Sequence, residues 1–321
     1  MMAETVAALD CGTNTLRLLV ATADETGNLK EFCRELRFAG LGQGVDQSGV
    51  FADEAMARGW AIVDEYVPMI RKFGATKARF VATSAARDAA NRDVFFDGVR
   101  ERLGIEPELI SGDEEAALSF SGAISGIDLG EGSQAATGAV LVMDSGGGST
   151  ELVRGDRSGE MSQDISLNIG SRRVRERYLH DDPPTAEQIG QARVEINRML
   201  DECPVELSDI ETFIGVAGTV TTMAALHLGL KEYDREQVHG CEMTTADVES
   251  LADKLLGMSA EQILALGPVA PERAKVLSGG ALVVAEVTKR VPVNLQASES
   301  DILDGVVWSI LRDGKGHPLA D

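Results

Sequence analysis

Two stretches of the chain repeat one alternation of apolar and polar positions. Val6 to Leu9 is an apolar run stopped by Asp10; Cys11, Gly12, Thr13, Asn14 and Thr15 follow, and a second apolar run covers Leu16 to Val20. Val140 to Met143 is likewise stopped by Asp144; Ser145, Gly146, Gly147, Gly148, Ser149 and Thr150 follow, and then Glu151, Leu152 and Val153. Short apolar runs bounded by turn residues read as buried strands, so each stretch predicts strand, glycine turn, strand. The two lie too far apart for a solenoid repeat. The pattern therefore predicts two domains of one plan, facing each other across a cleft that would seat a phosphorylated ligand.

The remaining pattern fills in both domains. Asp53 to Phe73 carries apolar residues at helical spacing (Ala57, Ala61, Val63, Val67, Ile70) and predicts an amphipathic helix. Ala78 to Ala82 predicts a strand running into the helix T-S-A-A-R-D-A-A-N-R-D, and Glu108 to Ile110 a strand running into S-G-D-E-E-A-A-L. Gly40 to Gly49, with four glycines, reads as a mobile loop. Gly122 to Gly138 reads as the boundary between a first domain, 1–125, and a second, 126–321. The second domain is predicted to hold a basic helix from Gly170-Ser171, a helix capped by Thr185 and Gln188, and a strand from Thr212 to Val216. Thr245 to Leu256 predicts a helix, and Glu272 to Arg290 a long one broken in pattern by Gly279 and Gly280, where close backbone packing is expected. A terminal helix, about 300–312, is a candidate to pack back on the first domain, and Gly314 onward reads as a frayed tail.

Composition narrows the function classes. The chain has 321 residues, 44% apolar and 26% charged, enough for two soluble cores. No apolar run approaches the ~20 residues that span a bilayer, and the N-terminus lacks the basic start of a signal peptide. Four scattered cysteines without a C-x-x-C pair exclude a disulfide framework or zinc site and fit a reducing cytoplasm. Thirty Lys plus Arg against 52 Asp plus Glu give a net charge of −22, which excludes nucleic acid and anionic membranes as partners. A phosphate ligand then needs locally concentrated basic residues, as in S-R-R-V-R-E-R, Ser171 to Arg177.

The candidate chemistry starts at the triple glycine. Gly146, Gly147 and Gly148 let the backbone approach a ligand closely. Their N–H groups, with the Ser149 and Thr150 hydroxyls, make a nest for phosphate oxygens. Asp144 and Glu151 flank it as hard oxygen ligands suited to Mg²⁺; a plain glycine-rich turn is the competing reading of this segment alone. Arg87, a turn inside its helix, is placed to fork onto a phosphate, against the alternative of a surface arginine. Ser111 and Glu114 match the capping box S-x-x-E, which accounts for Glu114. Glu115 points about 100° away around the helix and has no such account, so it is the functional candidate. Gly218 and Thr219 sit at a third strand-to-helix junction, available to phosphate or nucleotide. His180-Asp181 reads as a solvated loop, since the four histidines form no partner cluster.

Seven ordered stretches resemble the Ppx/GppA family of exopolyphosphatases and guanosine pentaphosphate phosphohydrolases: Leu9 to Leu18, Ala82 to Asn91, Ile110 to Ala116, Asp144 to Leu152, Gly215 to Leu226, Val238 to Gly240 and Arg273 to Ala281. The resemblance implies an α/β fold of two actin-like domains (ribonuclease H-like, ASKHA superfamily) with an interdomain cleft. It implies hydrolysis of the terminal phosphate of inorganic polyphosphate, with Mg²⁺ or Mn²⁺ as cofactor. Glu115 would orient or deprotonate the water, Glu151 would be a second catalytic carboxylate near the metal, and Asp10 and Asp144 would help hold the ion. Gly12, Thr13, Asn14, Arg87 and Gly146 to Thr150 would grip the terminal phosphates, with Ser171 and Arg172 holding the next ones from the opposite wall. Guanosine pentaphosphate hydrolysis at the same site, which would link the protein to the stringent response, is the near alternative. An actin-like kinase or ATPase, and a non-enzymatic nucleotide or polyphosphate sensor, are the distant ones. ADP or (p)ppGpp as further ligands, and a homodimer, stay open. Longer members of the family carry a C-terminal helical extension that this sequence lacks, so the resemblance does not extend to long-chain processivity or to dimerisation through that extension.

Overall fold

The computed structural model describes residues 4–25, 28–127 and 138–319. The chain forms two compact units, Met1–Ser125 with Ile302–Asp321, and Gly126–Asp301. Most of the expected 122–138 boundary loop lies outside the described residues, and its start is helical instead.

In the first unit β1 (Val6–Cys11), β2 (Thr15–Ala23) and β3 (Leu29–Phe38) form an antiparallel meander. α1 (Val45–Ser48) and α2 (Asp53–Lys72) lead to β4 (Lys77–Ala82), which pairs parallel with β1. α3 (Ser84–Asp88) and α4 (Arg92–Leu103) lead to β5 (Glu108–Leu109), parallel to β4, and α5 (Gly112–Gly126) follows.

The second unit repeats the scheme. β6 (Ala139–Ser145), β7 (Thr150–Asp156) and β8 (Met161–Leu167) form the meander. α6 (Ser171–Arg177) and α7 (Ala186–Asp201) precede β9 (Thr212–Val216), parallel to β6. After α8 (Ala217–His227), α9 (Arg235–Val238), β10 (Glu242–Met243), α10 (Thr245–Leu256), α11 (Ala260–Leu264), α12 (Pro271–Ala274) and α13 (Leu277–Thr288) comes β11 (Leu295–Ala297), parallel to β9, with β10 antiparallel on its outer edge. The chain then returns to the first unit through α14 (Ile302–Leu311) and β12 (His317–Pro318).

The sheet orders are β3-β2-β1-β4-β5 and β8-β7-β6-β9-β11, with the same strand directions in each. This is the actin-like, ribonuclease H-like plan, present twice. β1 shows why its sequence is an unbroken apolar run: both faces are covered. Ala7, Leu9 and Cys11 join the core under α2 and α4, while Val6 and Ala8 join the one under α14. α14 supplies Ile302, Leu303, Val306, Val307 and Ile310 to that second face, which is why the last residues belong with the first unit. In the second unit all twelve residues of α13 are buried, as expected of a helix apolar on every side.

Several expectations need correction. The predicted 272–290 helix breaks at Lys275-Val276 and not at Gly279 and Gly280, which lie inside α13 and make the close contacts expected of them. An added Cβ on Gly279 would meet Ser171 O at 2.6 Å, and one on Gly280 would meet Thr219 Oγ1 at 2.6 Å. The T-S-A-A-R-D segment makes a five-residue helix, α3, separate from α4. The Gly40–Gly49 loop is tethered: Gly40 and Gly42 donate to Asn14 O and Thr13 O. The tail is a strand, β12, on the edge of β4.

Candidate functional site

The two glycine hairpins can be compared residue by residue. In each, an aspartate stands directly opposite the residue seven positions on: Asp10 opposite Arg17, Asp144 opposite Glu151. The loops close with the same bond, Gly12 N–H to Thr15 O and Gly146 N–H to Ser149 O, both at 3.0 Å. Each loop is also tied down through its carbonyls by the segment after the third strand. Gly42 donates to Thr13 O at 2.8 Å, and at the equivalent place Arg172 donates to Gly147 O at 2.9 Å. With carbonyls engaged on one side, the loop N–H groups of Gly147 and Gly148 remain as donors for an anion.

The hairpins part company at the opposed pair. Asp10 is 4% exposed, and Arg17 donates to its Oδ2 from Nε (2.9 Å) and Nη2 (2.7 Å). That guanidinium balances the aspartate internally. Asp144 and Glu151 are 7% and 1% exposed, and Ser166 donates to Glu151 Oε1 at 2.7 Å. Two carboxyl groups opposed on a ladder disfavour each other unless a cation or proton intervenes. The donor set therefore fits a hard divalent cation in the second unit better than in the first. Among the described residues no group of three or more His, Cys, Asp or Glu gathers to hold a metal. A pair is nonetheless what Mg²⁺ commonly takes from a protein, the rest coming from phosphate oxygens and water.

The α6 segment lies beside the second hairpin, not across from it. Ser171 N–H donates to Gly146 O at 2.9 Å, Arg173 Nε to Gly148 O at 2.7 Å, and a Cβ on Gly170 would come within 2.4 Å of the Gly147 backbone. The expectation that Ser171 and Arg172 form an opposite wall is thus corrected: both belong to the glycine loop's own scaffold. The Ser171 hydroxyl is fully buried and finds no partner among the described residues.

In the first unit Arg87 and Glu115 meet each other. Arg87 Nη1 donates to Glu115 Oε2 at 2.7 Å and to Ile110 O at 3.1 Å. Glu115 is 8% exposed, at the first turn of α5. Thr13 Oγ1 lies 3.1 Å from Ser84 Oγ, which links the first hairpin to the start of α3. The Glu114 backbone N–H donates to Ser111 Oγ at 3.1 Å, the N-terminal half of the expected capping box. Its carboxylate goes elsewhere, to Arg79 and Lys315.

At the third junction Ala217 takes φ 68, a left-handed conformation uncommon outside glycine. A Cβ on Gly218 would lie 2.1 Å from Arg273 Nη2, and Thr219 is fully buried against Gly280. Thr219 is therefore a packing position, while Gly218 is half-buried beside the Arg273 guanidinium. His239 Nδ1 accepts from Glu299 N–H at 3.1 Å, and Nε2 lies 3.0 Å from Gly126 O, so the ring ties two backbone segments together. Sequence reasoning missed Arg17, Ser166 and Arg273. Arg17 had a signal, since its spacing from Asp10 repeats the spacing of Glu151 from Asp144.

Comparison with known proteins adds to this geometry. Residues 19–312 match the family model described as the Ppx/GppA phosphatase family. The chain is 41% identical over 322 aligned positions to Exopolyphosphatase 2 of Mycobacterium tuberculosis, covering 95% of this chain and 98% of that one. It is similar to the solved structure of an exopolyphosphatase-like protein, with TM-score 0.88 and 40% identity over 96% of this chain and 97% of that one. It is also similar to the Aquifex aeolicus member of the Ppx/GppA family, with TM-score 0.80 and 27% identity over 98% of this chain and 99% of that one.

Proposed function

The chain belongs to the Ppx/GppA phosphatase family, and on that premise we propose that it is an exopolyphosphatase, hydrolysing the terminal phosphate from inorganic polyphosphate. The observation that carries this reading is the second hairpin, where an opposed Asp144–Glu151 pair borders three glycines. Polyphosphate is a dense polyanion, and a chain of net charge −22 needs a local seat of this kind to accept it.

Asp144 and Glu151 would hold Mg²⁺ or Mn²⁺, which when bound neutralises charge on the phosphate oxygens. The N–H groups of Gly147 and Gly148 and the hydroxyl of Ser149 would receive the terminal phosphate, while the Gly146 N–H closes the loop on Ser149 O and the buried Thr150 hydroxyl anchors it by donating to Ile169 O. Ser171 and Arg172, on the same scaffold, would serve the next ones. Gly12, Thr13 and Asn14 would offer the matching loop of the first unit. Asp10 is already engaged by Arg17 and so is assigned to shaping that loop in preference to the cation. Glu115 would accept the proton of the attacking water, and Arg87 would hold its carboxylate in place. Phosphoryl transfer to water needs positioning and charge neutralisation more than covalent chemistry, which matches a site without a serine or histidine nucleophile.

The test is phosphate release from polyphosphate, guanosine pentaphosphate and ATP, by the wild type and Glu115→Gln, with and without Mg²⁺. Polyphosphate should be preferred, release should require the divalent ion, and the variant should lose ~10²–10⁴ in rate. Faster release from guanosine pentaphosphate would move the assignment to that substrate, and equal release by the variant would remove Glu115 from its role.

A further inference from the structure

Arg79 of β4 is the bulkiest side chain among the fully buried ones, at 1% exposure. A buried guanidinium is unfavourable unless every donor finds a partner, and this one is well supplied. Nε and Nη2 donate to Glu108 Oε2 at 3.0 and 2.8 Å, Nη2 to Glu114 Oε1 at 2.6 Å, and Nη1 to Ser309 Oγ of α14 at 3.0 Å. The C-terminal segment closes the group from outside. Lys315 Nζ donates to the same Glu114 Oε1 at 3.1 Å, and His317 Nε2 lies 3.6 Å from Glu108 Oε1. That segment is itself pinned, with Lys315 N–H on Ser309 O and Leu319 N–H on Thr76 O.

All of this converges on the residue before Glu115. We propose that Arg79 and Lys315 are positioning residues: through Glu114 they fix the first turn of α5 and so aim the carboxylate of Glu115. The inference rests on the reading of Glu115 as the water-orienting group. Apolar residues of similar volume would hold the helix end as firmly or more so. What an ionic clamp adds is direction. Glu114 and Glu115 point about 100° apart around the helix, and each is gripped by a different arginine, Arg79 and Arg87. Two grips on adjacent spokes stop α5 from turning about its axis, and such a turn is the motion that would swing Glu115 off its water. Gly305 lets α14 pack directly against α5, since a Cβ there would come within 2.0 Å of Leu118 O.

The experiment measures kcat and KM on the best substrate of the panel above for Glu114→Gln, Lys315→Met and Arg79→Lys. Each is compared with Lys275→Met, which breaks an ordinary exposed pair with Glu272, and each is repeated in the Glu115→Gln background. A misplacement of about 1 Å can cost ~10²-fold, so Arg79→Lys should lose ~10- to 10²-fold in kcat and the two rim variants less, all with KM unchanged. In the Glu115→Gln background the same changes should have no further effect on kcat. Glu114→Gln with Lys315→Met should be no slower than Glu114→Gln alone, because one acts through the other. The rim variants keep the test decisive if Arg79→Lys does not fold. An unchanged kcat in Glu114→Gln and Lys315→Met beside a disabled Glu115→Gln overturns the positioning role alone. A loss that appears in KM, or that persists without the Glu115 carboxylate, overturns it too. A fully active Glu115→Gln overturns the premise instead.

Discussion

The Asp10 hairpin and the Asp144 hairpin share strand register, loop length, loop-closing bond and carbonyl tether, and differ in what stands opposite the aspartate. In the first unit it is Arg17, a cation built into the chain. In the second it is Glu151, a second carboxylate, whose Oε1 accepts from Ser166. One position thus separates a self-contained charge pair from a candidate metal site within a duplicated fold. The loops follow suit: Thr13 and Asn14 carry side chains where Gly147 and Gly148 expose backbone. On the reading proposed above, a duplicated scaffold gives two seats of one shape and the chemistry divides by substitution at the rim.

Making the second hairpin a copy of the first is the strongest test of that division. Glu151→Arg should abolish Mn²⁺ binding by titration calorimetry and lower phosphate release by at least ~10²–10³, the scale of removing one preorganised stabilising group. Normal activity in this variant would end the division. The converse changes act on stability. Arg17→Met removes the guanidinium from Asp10, whose side chain is 5% exposed, and should cost about 3 kcal/mol in urea unfolding, as removal of one partner from a buried pair does. Arg17→Glu should lose as much without divalent ion, and Mn²⁺ should raise its Tm more than it raises that of Arg17→Met. A smaller difference is expected at the tethers. A Cβ on Gly170 meets only backbone, at 2.4 to 2.6 Å, whereas one on Gly42 first meets the Thr13 methyl at 2.2 Å. Gly170→Ala should cost about 1–3 kcal/mol by overpacking, and Gly42→Ala less, because a side chain can turn away and a peptide cannot. Equal urea midpoints for the two would break this part of the comparison.

Both hairpins were legible because the signals are local: apolar runs, an acidic stop, glycines. α2, α10 and β9 were legible for the same reason, each having a complete periodic pattern within its own span. Arg79 and Arg17 were not, because what defines them is a partner brought near by folding. The clamp on Glu114 joins residues 29, 35 and 201 positions apart, and no window of sequence holds it. Capping logic found the right role for Ser111 but missed where the Glu114 carboxylate goes. Gly279 and Gly280 were legible as points of close approach, but the break in the helix falls at Lys275-Val276, where no glycine or proline marks it. β10, β11 and β12 are too short to carry a period, and only pairing with longer strands makes them strands.

Acid stability sharpens the contrast between the units by the smallest margin. Each unit holds a glutamate whose carboxyl titrates below its ordinary value. For Glu286 in α13, burial raises the value, but hydrogen bonds from Asn197 and Lys289 and the charges of Lys289 and Arg193 outweigh it. For Glu114, burial is likewise outweighed, by Arg79 and Lys315. A depressed carboxyl contributes stability that is fully present above its unfolded value, ordinarily near 4.5, and that is lost as pH falls through the folded value, because the unfolded chain binds the proton first. The side chain of Glu286 is 4% exposed and that of Glu114 is 34%, so water screens the second group more. The wild-type urea midpoint should therefore decline as pH drops below about 4.5, and Glu286→Gln should flatten that decline more than Glu114→Gln does. A larger flattening from Glu114→Gln would show that the buried clamp of the first unit, and not the dry face of α13, governs acid unfolding.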